Sequence, residues 1–132
     1  MGSQATGTFK IDAWDEQPYA ETDDGGKLTR ASVKQTFGGD IEGEGAVEWL
    51  MCYRPDETAD FVGLQRVVGR IGERSGSVVL ESFGEFDGTE AKGPLTIVRG
   101  SGTGELAGIV GKGTLSAPMG GTPSVSLDYD FE

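Results

Sequence analysis

A chain of 132 residues can form one domain with one hydrophobic core and is too short for two ordinary domains. Its formal net charge of -11 repels nucleic acid and anionic membrane surfaces, so neither is predicted as a partner. Histidine is absent and Cys52 is the single cysteine, which excludes an intramolecular disulfide, histidine-dependent nucleophilic catalysis and histidine-based zinc sites. Cys52 lies in an apolar run, where a cysteine is usually a small buried hydrophobe.

Short strands joined by turns are predicted along the whole chain, because apolar and polar residues alternate and turn residues punctuate the pattern. In the first strand, Phe9, Ile11 and Ala13 share one face. A polar turn with two glycines, at residues 21–26, separates it from the second strand. The eight predicted strands are residues 8–14, 28–37, 41–54, 61–71, 75–86, 92–98, 106–116 and 124–131.

The pattern predicts an all-β fold, an eight-stranded antiparallel β-barrel that is closed or nearly closed. No segment has a 3.6-residue apolar period over ten or more positions, so long helices are not expected. Eight short strands suit closure, which leaves few exposed edges. Glycines inside the strands, such as Gly45 and Gly63, fit the bends of a small barrel. A two-sheet sandwich is the alternative.

The glycine-rich run from Arg99 to Thr114 contains a match to the dinucleotide-binding fingerprint. That fingerprint needs a helix after its glycines, and the three further glycines with the β-branched Ile109 and Val110 make a stable helix unfavourable here. The phosphate-loop pattern fails as well, because Leu106 stands where a glycine is required and a glycine follows Lys112. The run is therefore predicted to form a turn with positive φ at one or more of Gly100, Gly102 and Gly104.

Several segments of the chain are similar to those of a small bacterial protein family of unknown function. These segments are residues 7–9, 14–16, 36–45, 61–67, 74–77, 100–108 and 127–129. Members of that family resemble the allene oxide cyclase barrel, an architecture that is also similar to the dirigent and lipocalin-like barrels. The resemblance implies an eight-stranded barrel, often oligomeric, with a cavity for a small, largely apolar molecule. It carries over no catalytic residue.

The orientation of the third strand decides the candidate site, because its alternation is the clearest in the chain. We favour the orientation in which the apolar face of this strand points into the barrel and the glutamates face solvent. The candidate ligand-binding residues are then Trp14, Trp49, Met51, Tyr53 and Phe61. With the polar face inward, Glu44 and Glu48 would lie ~13 Å apart along the strand. Each would then act singly as an acid or a base, which makes both candidate catalytic residues.

Two further polar residues stand among apolar neighbours. Glu81 lies between Val79 and Phe83 on its strand face, so it is either an exposed interruption or a buried catalytic acid. Gln65 shares a face with Phe61 and is predicted to offer an orienting hydrogen bond to a ligand.

These features predict a single domain over residues 1–132 that binds a small apolar molecule. The barrel would guide cyclisation or isomerisation of that molecule by confinement and one or two polar groups, without a metal or a cofactor. The competing prediction is a non-catalytic ligand-binding or oligomeric interaction protein.

The protein is predicted to form a homo-oligomer and to be located in the cytoplasm. No apolar segment approaches the ~20 residues of a membrane helix, and the N-terminus lacks the pattern of a secretory signal.

Overall fold

The computed structural model describes residues 2–132 as a closed barrel of eight antiparallel strands. Each strand pairs with the next along the chain, and β8 closes the barrel by pairing with β1. The predicted fold class is confirmed. The strands are β1 (Ser3–Glu21), β2 (Lys27–Gly39), β3 (Ile41–Tyr53), β4 (Ala59–Ile71), β5 (Arg74–Phe86), β6 (Glu90–Ile97), β7 (Ile109–Pro118) and β8 (Ser124–Phe131).

The core lies inside the barrel, because every strand turns alternate residues inward. In β3, Val47 and Trp49 are buried whereas Glu48 between them is exposed. Each large aliphatic side chain that is fully buried contributes about 1.5–3 kcal/mol to folding. The outward position of even-numbered residues in β3 also exposes Cys52, so the prediction of a buried cysteine is wrong.

One end of the barrel, hereafter the closed end, is filled by the connection between β6 and β7. This connection contains a single 3-10 turn, Gly104–Leu106, and the Leu106 side chain is buried in the core. Residues 98–103 are not a strand but lie alongside β5, where the Val98 amide donates to the Val79 carbonyl and the Thr103 amide to the Ser77 carbonyl, both at 2.9 Å. Two glycines here have positive φ, Gly100 at 84° and Gly104 at 60°, which confirms the predicted turn geometry.

The opposite end, hereafter the open end, carries the four short turns that close the β1–β2, β3–β4, β5–β6 and β7–β8 hairpins. Here β1 runs well past its predicted end at residue 14. It pairs with β8 only over Ser3–Thr8, whereas it pairs with β2 as far as Glu21. The second half of β1 therefore has one sheet neighbour, and the barrel wall is open beside it.

A β-bulge in β1 reverses the predicted alternation. The register shifts between Ile11 and Ala13, so one extra residue lies in β1 opposite β2. Phe9 and Ile11 share the inner face as predicted, but Ala13 does not. Trp14 takes the inward position instead, opposite the buried Val33 of β2.

Candidate functional site

An apolar cavity of about 290 Å³ occupies the open end of the barrel. Six aromatic side chains contribute to its wall, together with two methionines and several aliphatic residues. The lining residues are Phe9, Ile11, Trp14, Val33, Gln35, Trp49, Met51, Tyr53, Phe61, Phe86, Ala91, Leu115, Ala117 and Met119. Cavities of this kind, apolar with few polar groups, are typical of small-molecule sites.

The structure brings together most of the residues that were predicted to line a cavity. Five of the six residues predicted to bind a ligand line this cavity, namely Trp14, Trp49, Met51, Tyr53 and Phe61. The sixth, Gln65, is buried and donates a hydrogen bond from Nε2 to Oε1 of Gln35, which itself lines the cavity. Gln35 is thus the amide side chain in the cavity lining, and Gln65 of β4 supports it from outside the cavity.

Trp49 is fixed in the wall by its neighbours on β4. Its ring lies edge-on to that of Phe61, with centroids 5.0 Å apart and an interplanar angle of 81°. Gly63, directly opposite Trp49 in the sheet, leaves the space that the indole occupies, because a Cβ there would collide with the ring. Glycine in the middle of β4 is therefore required by the packing of the cavity wall.

Glu16 is the carboxylate next to the mouth of this site: it is not one of the lining residues, but it accepts a hydrogen bond from Trp14, which is. It follows Trp14 on the inner face of β1 and lies opposite the buried Ala31. Its Oε2 accepts a hydrogen bond from Thr29 Oγ1 at 2.7 Å, and its Oε1 accepts one from Trp14 Nε1 at 3.0 Å. Burial raises the pKa of Glu16, but the hydrogen bonds from Thr29, Trp14 and Tyr53 and the charge of Lys27 outweigh this effect, so the pKa is lowered overall.

Tyr53 links Glu16 to the cavity wall. Burial, the hydrogen bond to Glu16 and the negative charge of that carboxylate raise the pKa of Tyr53 to about 12. The phenol therefore stays protonated at neutral pH and donates its hydrogen. The Lys27 ammonium lies over the same ring, 5.2 Å from its centroid.

Glu16 is not among the predicted site residues, because strict alternation from Phe9 places residue 16 on the outer face. A signal of the bulge is nevertheless present, since Ala13 and Trp14 are adjacent apolar residues in an otherwise alternating strand. A bulge is one way in which a strand accommodates such a break.

The three glutamates predicted as catalytic candidates lie elsewhere. Glu44, Glu48 and Glu81 are exposed on the outer face of the barrel and do not line the cavity. Glu48 forms an ion pair with Arg30, with 2.8 Å between the atoms, and hydrogen bonds from Ser32 and Arg30 lower its pKa. This is the orientation of β3 that the sequence favours, in which the glutamates face solvent. Their catalytic role stays a prediction without a place in the cavity.

Other kinds of site find no support in the described part of the chain. Among residues 2–132, no cluster of acidic or cysteine side chains could hold a metal ion. The same residues include no helix long and apolar enough to cross a membrane.

The fold and site together define a small up-and-down β-barrel with an apolar cavity at its open end. Within that class, the chain belongs to the DUF3224 family, whose members are described as proteins of unknown function and whose model matches residues 5–129. The predicted membership in a family of unknown function is thereby confirmed. The likeness to the allene oxide cyclases stays a prediction.

A solved relative has the same fold. The chain is 30% identical to a protein of unknown function from the DUF3224 family of Shewanella oneidensis MR-1, whose crystal structure superposes with a TM-score of 0.82. The similarity covers 100% of this chain and 99% of that one. No curated protein matches the chain.

Proposed function

We propose that the protein binds a small, largely apolar molecule in the cavity at the open end. The observation that carries the proposal is the unfilled space of about 290 Å³ behind a wall of aromatic and aliphatic side chains. Protein interiors rarely leave voids much larger than a water molecule, because empty space forfeits dispersion contacts. An apolar ligand would restore those contacts and bury its own surface at about 25 cal/mol per Å².

The proposal is binding, and the cyclase or isomerase activity predicted from the sequence goes beyond it. Any chemistry in the cavity would depend on Gln35 and Tyr53, which line it, and on Glu16 next to Trp14 and Tyr53, because the predicted glutamates lie on the outer face of the barrel. Glu16 is a poor proton donor at neutral pH because its lowered pKa keeps it ionised. It is also a weak base, since donated hydrogen bonds stabilise its charge. The site favours holding a molecule over transferring its protons.

The competing prediction, an oligomeric interaction protein, concerns a different surface. Leu50, Val62 and Phe83 lie side by side on the outer faces of β3, β4 and β5, and all three are about half exposed. A homo-oligomer stays a prediction for this surface. It does not compete for the cavity, because these side chains point away from the barrel interior.

Intrinsic fluorescence tests the binding proposal directly, because both tryptophans of the chain, Trp14 and Trp49, line the cavity. A brominated alkanol such as bromooctanol should quench this fluorescence saturably, since bromine quenches tryptophan only at contact. Phenylbutanol should relieve the quenching by competition. Linear quenching without saturation in the wild type would contradict the proposal.

A matched pair of substitutions tests whether the ligand binds in the cavity. Ala117→Leu adds a large side chain to the cavity wall, and we expect it to weaken binding about tenfold or more, because it removes space and apolar contact area. Ala46→Leu makes the same change on the exposed outer face of β3 and should leave affinity unchanged. Equal affinity in the two variants would show that the ligand binds somewhere other than the cavity.

A further inference from the structure

The Glu16 carboxylate has hydrogen bonds but no ion pair. Its identified donors, Thr29, Trp14 and Tyr53, are all neutral. Among residues 2–132, no lysine or arginine nitrogen lies within 4.0 Å of its oxygens. Lys27 acts on it only at longer range. A negative charge is therefore fixed at the cavity mouth without a close counter-ion.

The same carboxylate lies next to two aromatic residues of the cavity. The Trp14 indole N–H donates to Glu16, and the Tyr53 hydroxyl, 3.7 Å from Met51 Sδ, also interacts with this carboxylate, so the polar edges of both rings have partners. Both rings also line the cavity, as do Phe9, Trp49, Phe61 and Phe86. Aromatic faces carry a partial negative charge and attract cations.

An ammonium group of the chain already uses this chemistry. Lys27 Nζ lies 5.2 Å from the centroid of the Tyr53 ring, within the usual range of a cation–π contact. Lys27 and Tyr53 are paired across β2 and β3 at the rim of the open end. The rim thus accommodates an alkylammonium next to an aromatic face and an unpaired carboxylate.

We propose that the ligand of this cavity carries an organic ammonium group on its apolar body. This inference rests on the proposed function, because it specifies the class of molecule that the cavity binds. The apolar body occupies the space behind Trp49 and Phe61, and the ammonium lies at the mouth among Trp14, Tyr53 and Glu16. The net charge of -11 attracts such a molecule at long range.

Three probes with one apolar body and different head groups test the inference on the wild-type protein. Phenylbutylamine is cationic at pH 7, phenylbutanol is neutral and phenylbutyrate is anionic. In isothermal titration calorimetry we expect the amine to bind about tenfold more tightly than the alcohol, a ratio typical of cation–π and charge contacts. Phenylbutyrate should bind most weakly, because Glu16 repels it.

Paired variants separate Glu16 from the overall charge of the protein. Glu16→Gln removes the charge next to the cavity and should bring the affinity for the amine to within about threefold of that for the alcohol, so the ratio of the two affinities measured on the same variant is the readout. Asp15→Asn makes the same charge change one residue away on the outer face of β1 and should keep the full preference. Loss of the preference in both variants would mean that net charge alone produces it, which would overturn the inference.

Lys27→Met provides a test that does not depend on altering Glu16. The substitution frees the Tyr53 face, so it should tighten binding of phenylbutylamine. If phenylbutyrate bound most tightly to the wild type, and Lys27→Met lost that binding, the ligand would belong to an anionic class and the inference would be overturned. Equal binding of all three probes would also overturn it while leaving the proposed function intact. Absence of binding by all three would contradict both.

Discussion

At the closed end of the barrel, Leu106 and the 3-10 turn fill the space between the strand ends, whereas at the open end six aromatic side chains surround a cavity of about 290 Å³. Side-chain size does not explain this difference, because the larger residues surround the empty space. The explanation lies in the backbone. A connecting segment crosses the closed end, and at the open end β1 extends beyond β8 and leaves the wall incomplete.

The comparison also separates two uses of polar groups. At the closed end, polar contacts such as those between Ser77 and Thr103 attach the connecting segment to β5. At the open end, Glu16 accepts hydrogen bonds from Thr29 and Trp14 and thereby orients Trp14 in the cavity wall. The first set of contacts should matter chiefly for stability, and the second for the shape and charge of the cavity.

Removal of the closed-end side chain should have the largest effect. We expect Leu106→Ala to lower the free energy of unfolding by about 2–5 kcal/mol, because the side chain is 1% exposed and its loss leaves a cavity. Denaturant unfolding measures the change. Leu50→Ala, at a half-exposed leucine on the outer face, should cost less than about 1 kcal/mol. Similar losses in the two variants would contradict the assignment of Leu106 as the filling residue.

A glycine at the closed end offers a second, smaller test. A Cβ at Gly76 would collide with the Thr103 carbonyl oxygen, so Gly76→Ala should displace the connecting segment and cost about 1–3 kcal/mol. Gly38→Ala is the matched control, since it has no atom within 4 Å of the new methyl group and no positive φ. Affinity for phenylbutanol at the other end should be unchanged in Gly76→Ala. A loss of affinity there would show that the two ends are coupled.

The sequence predicts the closed end and the open end to different degrees. Period-two alternation in β3, β4 and β8 is enough to predict strands and the inward position of Trp49, because one face of each of these strands carries no charged residue. The ability of glycine to adopt positive φ likewise predicts the turn at Gly100 and Gly104, where positive φ is needed.

Prediction failed at the mouth because the determining feature there is a single extra residue. The bulge at residue 12 reverses the positions that follow it, up to a second register shift between Pro18 and Ala20, so Trp14 and Glu16 turn inward and Ala13 turns out. The alternation of residues within β1 does not show how that strand is registered against β2. The length of β1 beyond β8 could not be predicted either, since residues 15–21 show no alternation of apolar and polar residues and include a proline.

The hydrogen bond from Thr29 to Glu16 should give the smallest effect and the one that depends on pH. Thr29 is 1% exposed and donates to the carboxylate at 2.7 Å, so Thr29→Val, of nearly the same shape, should cost about 1–2 kcal/mol at pH 7. The pKa of Glu16 is lower in the folded protein than its ordinary value of 4.5, so the stability that its charged form contributes is present above about pH 4.5. That contribution is lost as the pH falls through the folded pKa. The difference in unfolding free energy between wild type and Thr29→Val should therefore shrink below pH 4.5. A difference that stays constant from pH 7 to pH 3 would mean that Thr29 acts by packing alone, and the carboxylate would then have no role in ordering the open end.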